Sequence, residues 1–293
     1  MNAVVSAMRT EGKSVAVAKV CRWLGVPRST AYALPKQKTP RRPRVTPDAL
    51  PDGFLAGLIY ALIQIYPTFG VRMIWSQVRF TLGFKVNRKR VARIMRKEGW
   101  TVTKRRKGGR PRVKVKSSIA EHPDQRWATD IALVYCGKDG WCAFVPVIDC
   151  CTREILGWEL SDSWRSRTAE RALESALIRR FGYTRGAPPG LVLRHDNGLV
   201  FGSRGYTATV GDYGLTQEYI TPYTPEENGL CERFIRTIKE ECVWQHNFGS
   251  LEEARRTLSR WIAWYNAERP HSALKYLTPA QRRAAMTPVA AAA

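Results

Sequence analysis

The sequence of 293 residues is 44% hydrophobic and 25% charged, which is typical of a folded globular protein and excludes a disordered chain. No apolar run reaches membrane-spanning length, and the first residues lack the apolar core of a signal peptide, so we expect a cytoplasmic protein. The net charge of +23 lies entirely in residues 1–120, which hold 27 lysines and arginines but only four acidic residues. This half of the chain is therefore expected to bind a polyanion.

Residues 1–35 have the pattern of a helix-turn-helix. Apolar residues recur at helical spacing from residue 14, Gly25 permits a tight turn, and PRSTAYAL restarts a short helix that would present Arg28 to DNA. A small helical hairpin with no DNA contact fits the same pattern. Residues 36–53 are rich in proline and positive charge, which predicts an extended linker.

Residues 54–100 predict a second helix-turn-helix-like domain. Asn87 is a good N-cap for the helix that begins RKRVARIMRK. Arg88, Lys89 and Arg90 crowd the first turn of this helix, where cations oppose the helix dipole unless a phosphate binds there. A solvated charged face is the alternative. Residues 101–120 predict a basic linker that follows a phosphate backbone through Lys104, Arg105, Arg106 and Lys107.

Residues 121–285 predict an α/β domain, and residues 286–293 a short tail. Three strands with turns between them come first, followed by an amphipathic helix over 166–181, a strand ending at LVLRH, a helix and strand over 204–219, and two helices. A long helix is expected from Glu226 to about Asn247, and Ser250 with Glu253 forms a capping box for the next one. This order suits a mixed sheet covered by helices.

Three acidic residues stand out in this domain. Asp130 lies within or at the end of the first predicted strand, Asp196 follows the fourth, and Glu232 lies on the long helix, 35 residues after Asp196. Acids are rare inside apolar strands unless they are paired or bind metal. Carboxylate oxygens suit Mg²⁺, and two such ions can bind both oxygens of an in-line phosphoryl displacement.

Five segments carry a resemblance to a known family: WATD, VIDCCTREILGW, RHDNG, YTPEENGLCERFIRTIKEE and YNAERPHSALKYLTP. In this order they resemble bacterial insertion-sequence transposases that share the retroviral-integrase core, most of all the second-frame catalytic protein of the large family that transposes through a circular intermediate. The resemblance implies a ribonuclease-H-like core with a mixed five-stranded sheet, and a catalytic, metal-binding triad of Asp130, Asp196 and Glu232. It also implies two Mg²⁺ ions, for which Mn²⁺ can substitute, DNA cleavage by water and strand transfer by a 3′-hydroxyl.

Other charged residues near the triad have alternative explanations. Asp149 lies in a turn region, where acids are common, and Glu218 is expected at the surface. Arg236 and Lys239 share a helix face with Glu232, so they form either a solvated salt-bridge ladder or a grip on DNA phosphates. We favour the second role because the family pattern has a basic residue at the position of Lys239.

The resemblance also implies partners. They are the DNA of the element ends and target, further copies of the chain (at least a dimer, since two ends are cut) and an upstream-frame DNA-binding protein or a fusion with it. Bound to DNA, the protein would associate with the nucleoid. A nuclease or resolvase of the same fold and a non-catalytic DNA-binding regulator are the alternative functions.

Overall fold

The computed structural model describes residues 16–27, 50–102, 118–182, 186–222 and 224–286. Five predicted DNA-contacting residues lie outside these ranges: Arg28, Lys104, Arg105, Arg106 and Lys107. The chain divides into two units, residues 1–49 and 50–293. In the first unit, helix α1 (Val17–Trp23) ends in a turn at Gly25, whose φ of 62° is the left-handed conformation that glycine adopts readily.

Residues 50–102 form a group of helices with its own core. Their bounds are α2 (Asp52–Ile65), α3 (Val71–Ser76), which continues in a π-helical turn (Gln77–Thr81), and α4 (Arg88–Lys97). Asn87 caps α4 as predicted, since its side chain accepts a 2.8 Å hydrogen bond from the Lys89 amide. Leu55, Ile59, Ile74, Val91 and Met95 are fully buried between these helices. Because apolar residues recur at helical spacing, each helix presents one face to this core.

Residues 118–286 build a mixed sheet. Its strands are β1 (Arg126–Thr129), β2 (Ala132–Tyr135), β3 (Trp141–Asp149), β4 (Ile155–Ser161), β5 (Val192–His195) and β6 (Thr216–Tyr219). The long β3 pairs antiparallel with β4 on one side and with both β1 and β2 on the other. On the far side of β1, β5 and then β6 run parallel to it. The mixed sheet is confirmed, with six strands in five positions.

The first predicted strand is split because the ladder is interrupted at Asp130. Thr129 pairs with Val147 and Ala132 with Phe144, so the register places Asp130 opposite Pro146. Proline has no N–H to donate to a sheet ladder. The ladder is therefore interrupted where the residue opposite, Pro146, cannot donate a backbone hydrogen bond.

Helices cover both faces of the sheet. Their bounds are α5 (Ser166–Phe181), α6 (Arg204–Asp212), α7 (Gly229–Glu241), α8 (Leu251–Ala267) and α9 (Pro279–Met286). One core lies under α5 and α6, and a second under α7 and α8. Helix α5 approaches β4 closely at Gly157, where an added Cβ would lie 2.4 Å from the Ala176 nitrogen. The long helix predicted over 226–247 is shorter, because 3₁₀ turns at Pro225–Asn228 and Val243–Gln245 flank α7.

The helices of residues 50–102 pack against α8 and the segment that follows it through aromatic rings. Tyr66 stacks on Trp264 of α8 with ring centroids 5.4 Å apart, and Phe80 stacks on Tyr276 at 5.2 Å. These contacts join the two parts of residues 50–286 side by side. None of the helices in the described ranges is both long and apolar enough to span a membrane.

Candidate active site

Three carboxylates meet at one cavity of about 430 Å³, called here the acid cavity. Asp130 reaches it from the break between β1 and β2, Asp196 from the end of β5, and Glu232 from the first turn of α7. Asn197, Gly198, Ile220, Thr224 and Asn228 complete its lining. The parallel pairing of β1 and β5 brings the ends of these strands to one edge of the sheet. The structure therefore brings together all three acids that the sequence analysis singled out.

The two aspartates are turned toward their own backbone. Asp130 Oδ1 accepts a 2.8 Å hydrogen bond from the Ile131 amide, and Asp196 Oδ1 accepts one of 2.9 Å from the Gly198 amide. A Cβ at residue 198 would lie 2.9 Å from Asp196 Oδ1, so a side chain at this position would displace the Asp196 carboxylate from its present position. Each aspartate keeps further lone pairs for other partners.

The electrostatics of the cavity favour a positive ligand. Burial raises the pKa of Asp130 to about 6, and the negative charges of Asp196 and Glu232 add to this rise. Burial also raises the pKa of Glu232, with a contribution from Glu226. The raised pKa values mean that ionising the site costs free energy that a bound cation would return.

The donor set fits Mg²⁺. Carboxylate oxygens are the hard ligands that this ion prefers, and Mg²⁺ keeps several of its own waters in an open site. Asn228, only 2% exposed, has an Oδ1 atom with no hydrogen-bond partner among the described residues. Within those same residues, no group of three or more histidine, cysteine or acidic side chains lies close enough together to hold a metal ion as it stands. Three like charges repel one another, which is consistent with carboxylates that share a cavity without converging.

Side-chain bonds hold the acid-bearing segments together. Asn228 Nδ2 donates to the Thr129 carbonyl at 3.0 Å, which joins the start of α7 to the strand end before Asp130. Asn197 Nδ2 donates to the Ile220 carbonyl at 3.0 Å, which joins the Asp196 turn to the end of β6. These two amides fix the relative positions of the three acids.

A buried ion-pair network supports the same edge. Arg194, 2% exposed, binds both carboxylate oxygens of Glu218 and donates 2.8 Å to the Glu227 carbonyl. Arg126 also donates to Glu218, at 3.0 Å. The side chain of Glu218 is 32% exposed, so it reaches the surface as expected, but it is also engaged by partners that lie 24 and 92 residues away in sequence and meet it through β-sheet pairing. Asn228 and Arg194 are the site residues that the sequence analysis missed, and only the family motifs around them could have indicated their importance.

Asp149 and His195 serve the fold. Asp149 is fully buried, and its two oxygens accept four hydrogen bonds, from the amides of Asp124, Cys151 and Thr152 and from the Thr152 hydroxyl. The His195 ring is buried against Phe201 and Tyr219, and burial lowers its pKa. Its Nδ1 lies 2.6 Å from the Asp196 carbonyl.

The predicted DNA-contacting cations fall into two groups. Arg88 and Lys89 are exposed and line a cavity together with Arg79 and Lys85, and in the described part of the chain none of these four forms an ion pair. Arg90 instead donates to Asp52, at 2.7 Å, and to the Leu50 carbonyl, so its guanidinium is engaged within the chain.

Arg236 and Lys239 differ from each other. Arg236 forms a 2.9 Å ion pair with Glu240, one turn along α7, and does not line the acid cavity. The charge of Lys239 opposes the rise in the pKa of Asp130, so this side chain lies close enough to act on the acid site. The salt-bridge alternative therefore describes Arg236 better than Lys239.

The chain matches three protein-family models and is similar to proteins of bacterial insertion elements. Two models, each described as integrase core domain, match residues 120–225 and 213–279, and one described as HTH-like domain matches residues 52–108. The chain is 28% identical over 281 residues to a 31.7 kDa protein of insertion element IS407 from Burkholderia multivorans, which covers 94% of this chain and 93% of that protein. It is 29% identical over 232 residues to the transposase InsD of insertion element IS2 from Escherichia coli, covering 75% of each.

A third relative is longer than this chain. A 39.2 kDa protein of insertion element IS476 from Xanthomonas euvesicatoria is 29% identical over 228 residues, which are 78% of this chain but 64% of that protein. Among solved structures, the intasome of simian T-cell lymphotropic virus in complex with a PP2A regulatory subunit is 16% identical. It covers 80% of this chain and 76% of that chain, with a TM-score of 0.48.

Proposed function

The chain belongs to the integrase-core family and is homologous to insertion-element transposases, and we propose that it is a DNA transposase with Asp130, Asp196 and Glu232 as its acidic triad. The observation that carries this proposal is that the three carboxylates line one open cavity at a sheet edge. The HTH-like region and the basic N-terminal half support DNA as the substrate.

The reaction we propose has two phosphoryl-transfer steps. In cleavage, a water oxygen bonds to the phosphorus at the element end while the P–O3′ bond breaks, which leaves a 3′-hydroxyl and a 5′-phosphate. In strand transfer, that 3′-hydroxyl loses its proton and bonds to a target phosphorus, and the target 3′-oxygen leaves and takes up a proton. Neither step needs an oxidant or a reductant.

The three carboxylates would hold two divalent cations, Mg²⁺ or Mn²⁺, which supply charge stabilisation for the attacking and leaving oxygens when bound. Asp130 and Asp196 would bind through the lone pairs that their backbone amides leave unused. Asn228 would fix the position of Glu232 relative to Asp130, because it joins α7 to the end of β1. Lys239 would attract a DNA phosphate to the rim of the acid cavity.

The partners follow from the reaction. Two element ends must be cut and joined, so we propose that at least two copies of the chain assemble on DNA. An upstream-frame DNA-binding protein, alone or fused to this chain, is a further proposed partner. Association with the nucleoid would follow from DNA binding.

Joining of labelled DNA tests this function against its alternatives. Duplexes that carry the terminal inverted repeats flanking the gene are incubated with the protein in Mg²⁺ and, separately, in EDTA. A transposase joins the labelled 3′ end to a target only in Mg²⁺. A nuclease or resolvase cuts without joining and a regulator binds without cutting, so either outcome would contradict the proposal.

A further inference from the structure

A second cavity, of about 580 Å³, lies between the helices of residues 50–102 and the sheet domain, and is called here the arginine cavity. Four arginines line it: Arg72 of α3, Arg153 of the β3–β4 turn, Arg233 of α7 and Arg269 after α8. Arg269 forms an ion pair with Glu241. The other three form no ion pair with any residue that the structure describes.

The acidic residues of this cavity are already engaged. Glu241 binds Arg269 through both carboxylate oxygens, and Glu240 accepts a hydrogen bond from Arg236. The four arginines and two glutamates of the lining give the cavity a net charge of +2.

Arg153 is held in this cavity at a cost in free energy. Its φ of 66° is the left-handed conformation, which non-glycine residues adopt at a cost in free energy. Its Nε is buried and has no hydrogen-bond partner among the described residues, and burial lowers the pKa of this guanidinium. A guanidinium nitrogen that is buried without a hydrogen-bond partner is unfavourable, and an oxyanion in the cavity would accept a hydrogen bond from it.

His271 brings a second buried and unpaired nitrogen to the same cavity. Its Nε2 is buried and also lacks a hydrogen-bond partner in the described part of the chain. Burial, together with the positive charges of Arg269 and Arg153, lowers the pKa of His271 to about 2. The neutral ring lies in the lining of the cavity, where a ring N–H could donate to a bound oxyanion.

We propose that the arginine cavity is a phosphate-binding site, in which Arg153, Arg72 and Arg233 bind the oxyanion. Phosphate fits because guanidinium groups donate paired hydrogen bonds to its oxygens, and because its charge offsets several cations at once. A phosphate of the DNA backbone is one source, and this assignment rests on the proposed function. Free inorganic phosphate is the other source of the same chemistry.

The position of the site gives the DNA source a role. Arg233 follows Glu232 directly on α7, and Gly229 of the arginine cavity follows Asn228 of the acid cavity. A DNA strand with one phosphate bound at Arg153 would therefore be anchored along the helix that carries one of the proposed catalytic acids. Arg72 would add a contact from the HTH-like region to the same phosphate.

Thermal unfolding of the full chain in EDTA tests the site itself. Sodium phosphate, compared with chloride at equal ionic strength, is expected to raise the Tm of the wild type. Arg153→Gln and Arg72→Gln are each expected to weaken phosphate binding at least tenfold, whereas Arg171→Gln, an exposed arginine of α5, keeps it. Without phosphate, Arg153→Gln is expected to unfold at a higher temperature than the wild type. Equal stabilisation of the wild type and of both cavity variants by phosphate would overturn the proposal.

The dependence of duplex-DNA binding on salt distinguishes the two sources. If the phosphate belongs to DNA, Arg72→Gln lowers DNA affinity and reduces the slope of log K against log salt by about one, whereas Arg171→Gln changes neither. Because Arg72 is exposed, this variant tests the site even if Arg153→Gln fails to fold. Unchanged DNA binding with lost phosphate stabilisation assigns the site to free phosphate. Joining activity is scored separately, so phosphate binding without joining contradicts only the proposed transposase function.

Discussion

Asp149 ends β3 and Asp130 follows the end of the adjacent strand β1, yet the surroundings of the two acids are opposite. Asp149 ends β3, opposite Trp127, and the chain gives its carboxylate four hydrogen bonds. Asp130 lies three residues beyond Trp127 at the break in the ladder, with one hydrogen bond from its neighbour and an open cavity in front of it. A carboxylate that the backbone satisfies completely stabilises a turn, whereas one left with free lone pairs can bind a ligand.

Substitutions in the acid cavity should therefore lower joining activity, whereas substitution of Asp149 should lower the free energy of unfolding. The largest effect is expected for Asp130→Asn, Asp196→Asn and Glu232→Gln, each of which should abolish Mg²⁺-dependent joining. Loss of one charged ligand removes several kcal/mol of transition-state stabilisation, which is more than about 100-fold in rate. Gel assays of joining by the purified variants measure this.

The same variants carry two further checks. A double variant should be no less active than a single one, because ligands of one site act as a unit. Stabilisation by Mg²⁺ in thermal unfolding should also shrink in each single variant. Near-normal joining by any one of the three would remove that residue from the proposed triad.

Asp149→Asn should show the reverse behaviour. The amide is expected to turn one N–H toward a buried backbone N–H that the carboxylate now accepts, at a cost of about 2–3 kcal/mol in folding free energy. Joining per folded molecule should stay close to that of the wild type. Denaturant unfolding and joining measured on one preparation separate the two effects, and an inactive but stable variant would exchange the roles of the two acids.

The burial of Asp130 should also make folding stability depend on pH. The pKa of Asp130 is about 6 in the folded chain and 3.8 in the unfolded chain. Between about pH 4 and about pH 6 the folded state therefore binds more protons than the unfolded state. Without metal, folding stability should therefore fall as pH rises from about 4 to about 6, by about 1–2 kcal/mol from this group. Asp130→Asn should remove this part of the fall, as urea titrations in EDTA across this range would reveal. An identical pH profile for wild type and variant would mean that burial does not perturb Asp130.

The smallest expected effect concerns α7. Arg236→Ala combined with Lys239→Ala should weaken binding of element ends by about 1–2 kcal/mol without changing the fold. Because Arg236 already pairs with Glu240, most of the loss should come from Lys239. Single variants in a filter-binding assay resolve the two, and unchanged binding in both would make this helix face a solvated salt-bridge ladder.

Local signals in the sequence were sufficient for most elements. Asn87 predicted its own helix start, and the amphipathic pattern over 166–181 matches α5. The interruption at Asp130 was not predictable, because it depends on which residue of β3 lies opposite, and that register forms only in the folded sheet. The ion pairs of Glu218 and Arg90 were not predictable for the same reason, because their partners are distant in sequence. The three acids were found because the family motifs mark them, whereas the cavity that they share required the fold.

The broken strand has a consequence for the history of the gene. Asp130 lies outside the paired residues of β1 and β2 and outside both hydrophobic cores of the sheet domain, so a substitution at this codon leaves the strands and the core packing in place. Under the proposed function, a copy that has lost this acid would still encode a folded protein able to occupy element ends. Such copies would compete with active ones in the same cell, so inactivating mutations at this codon would lower the activity of the whole element population.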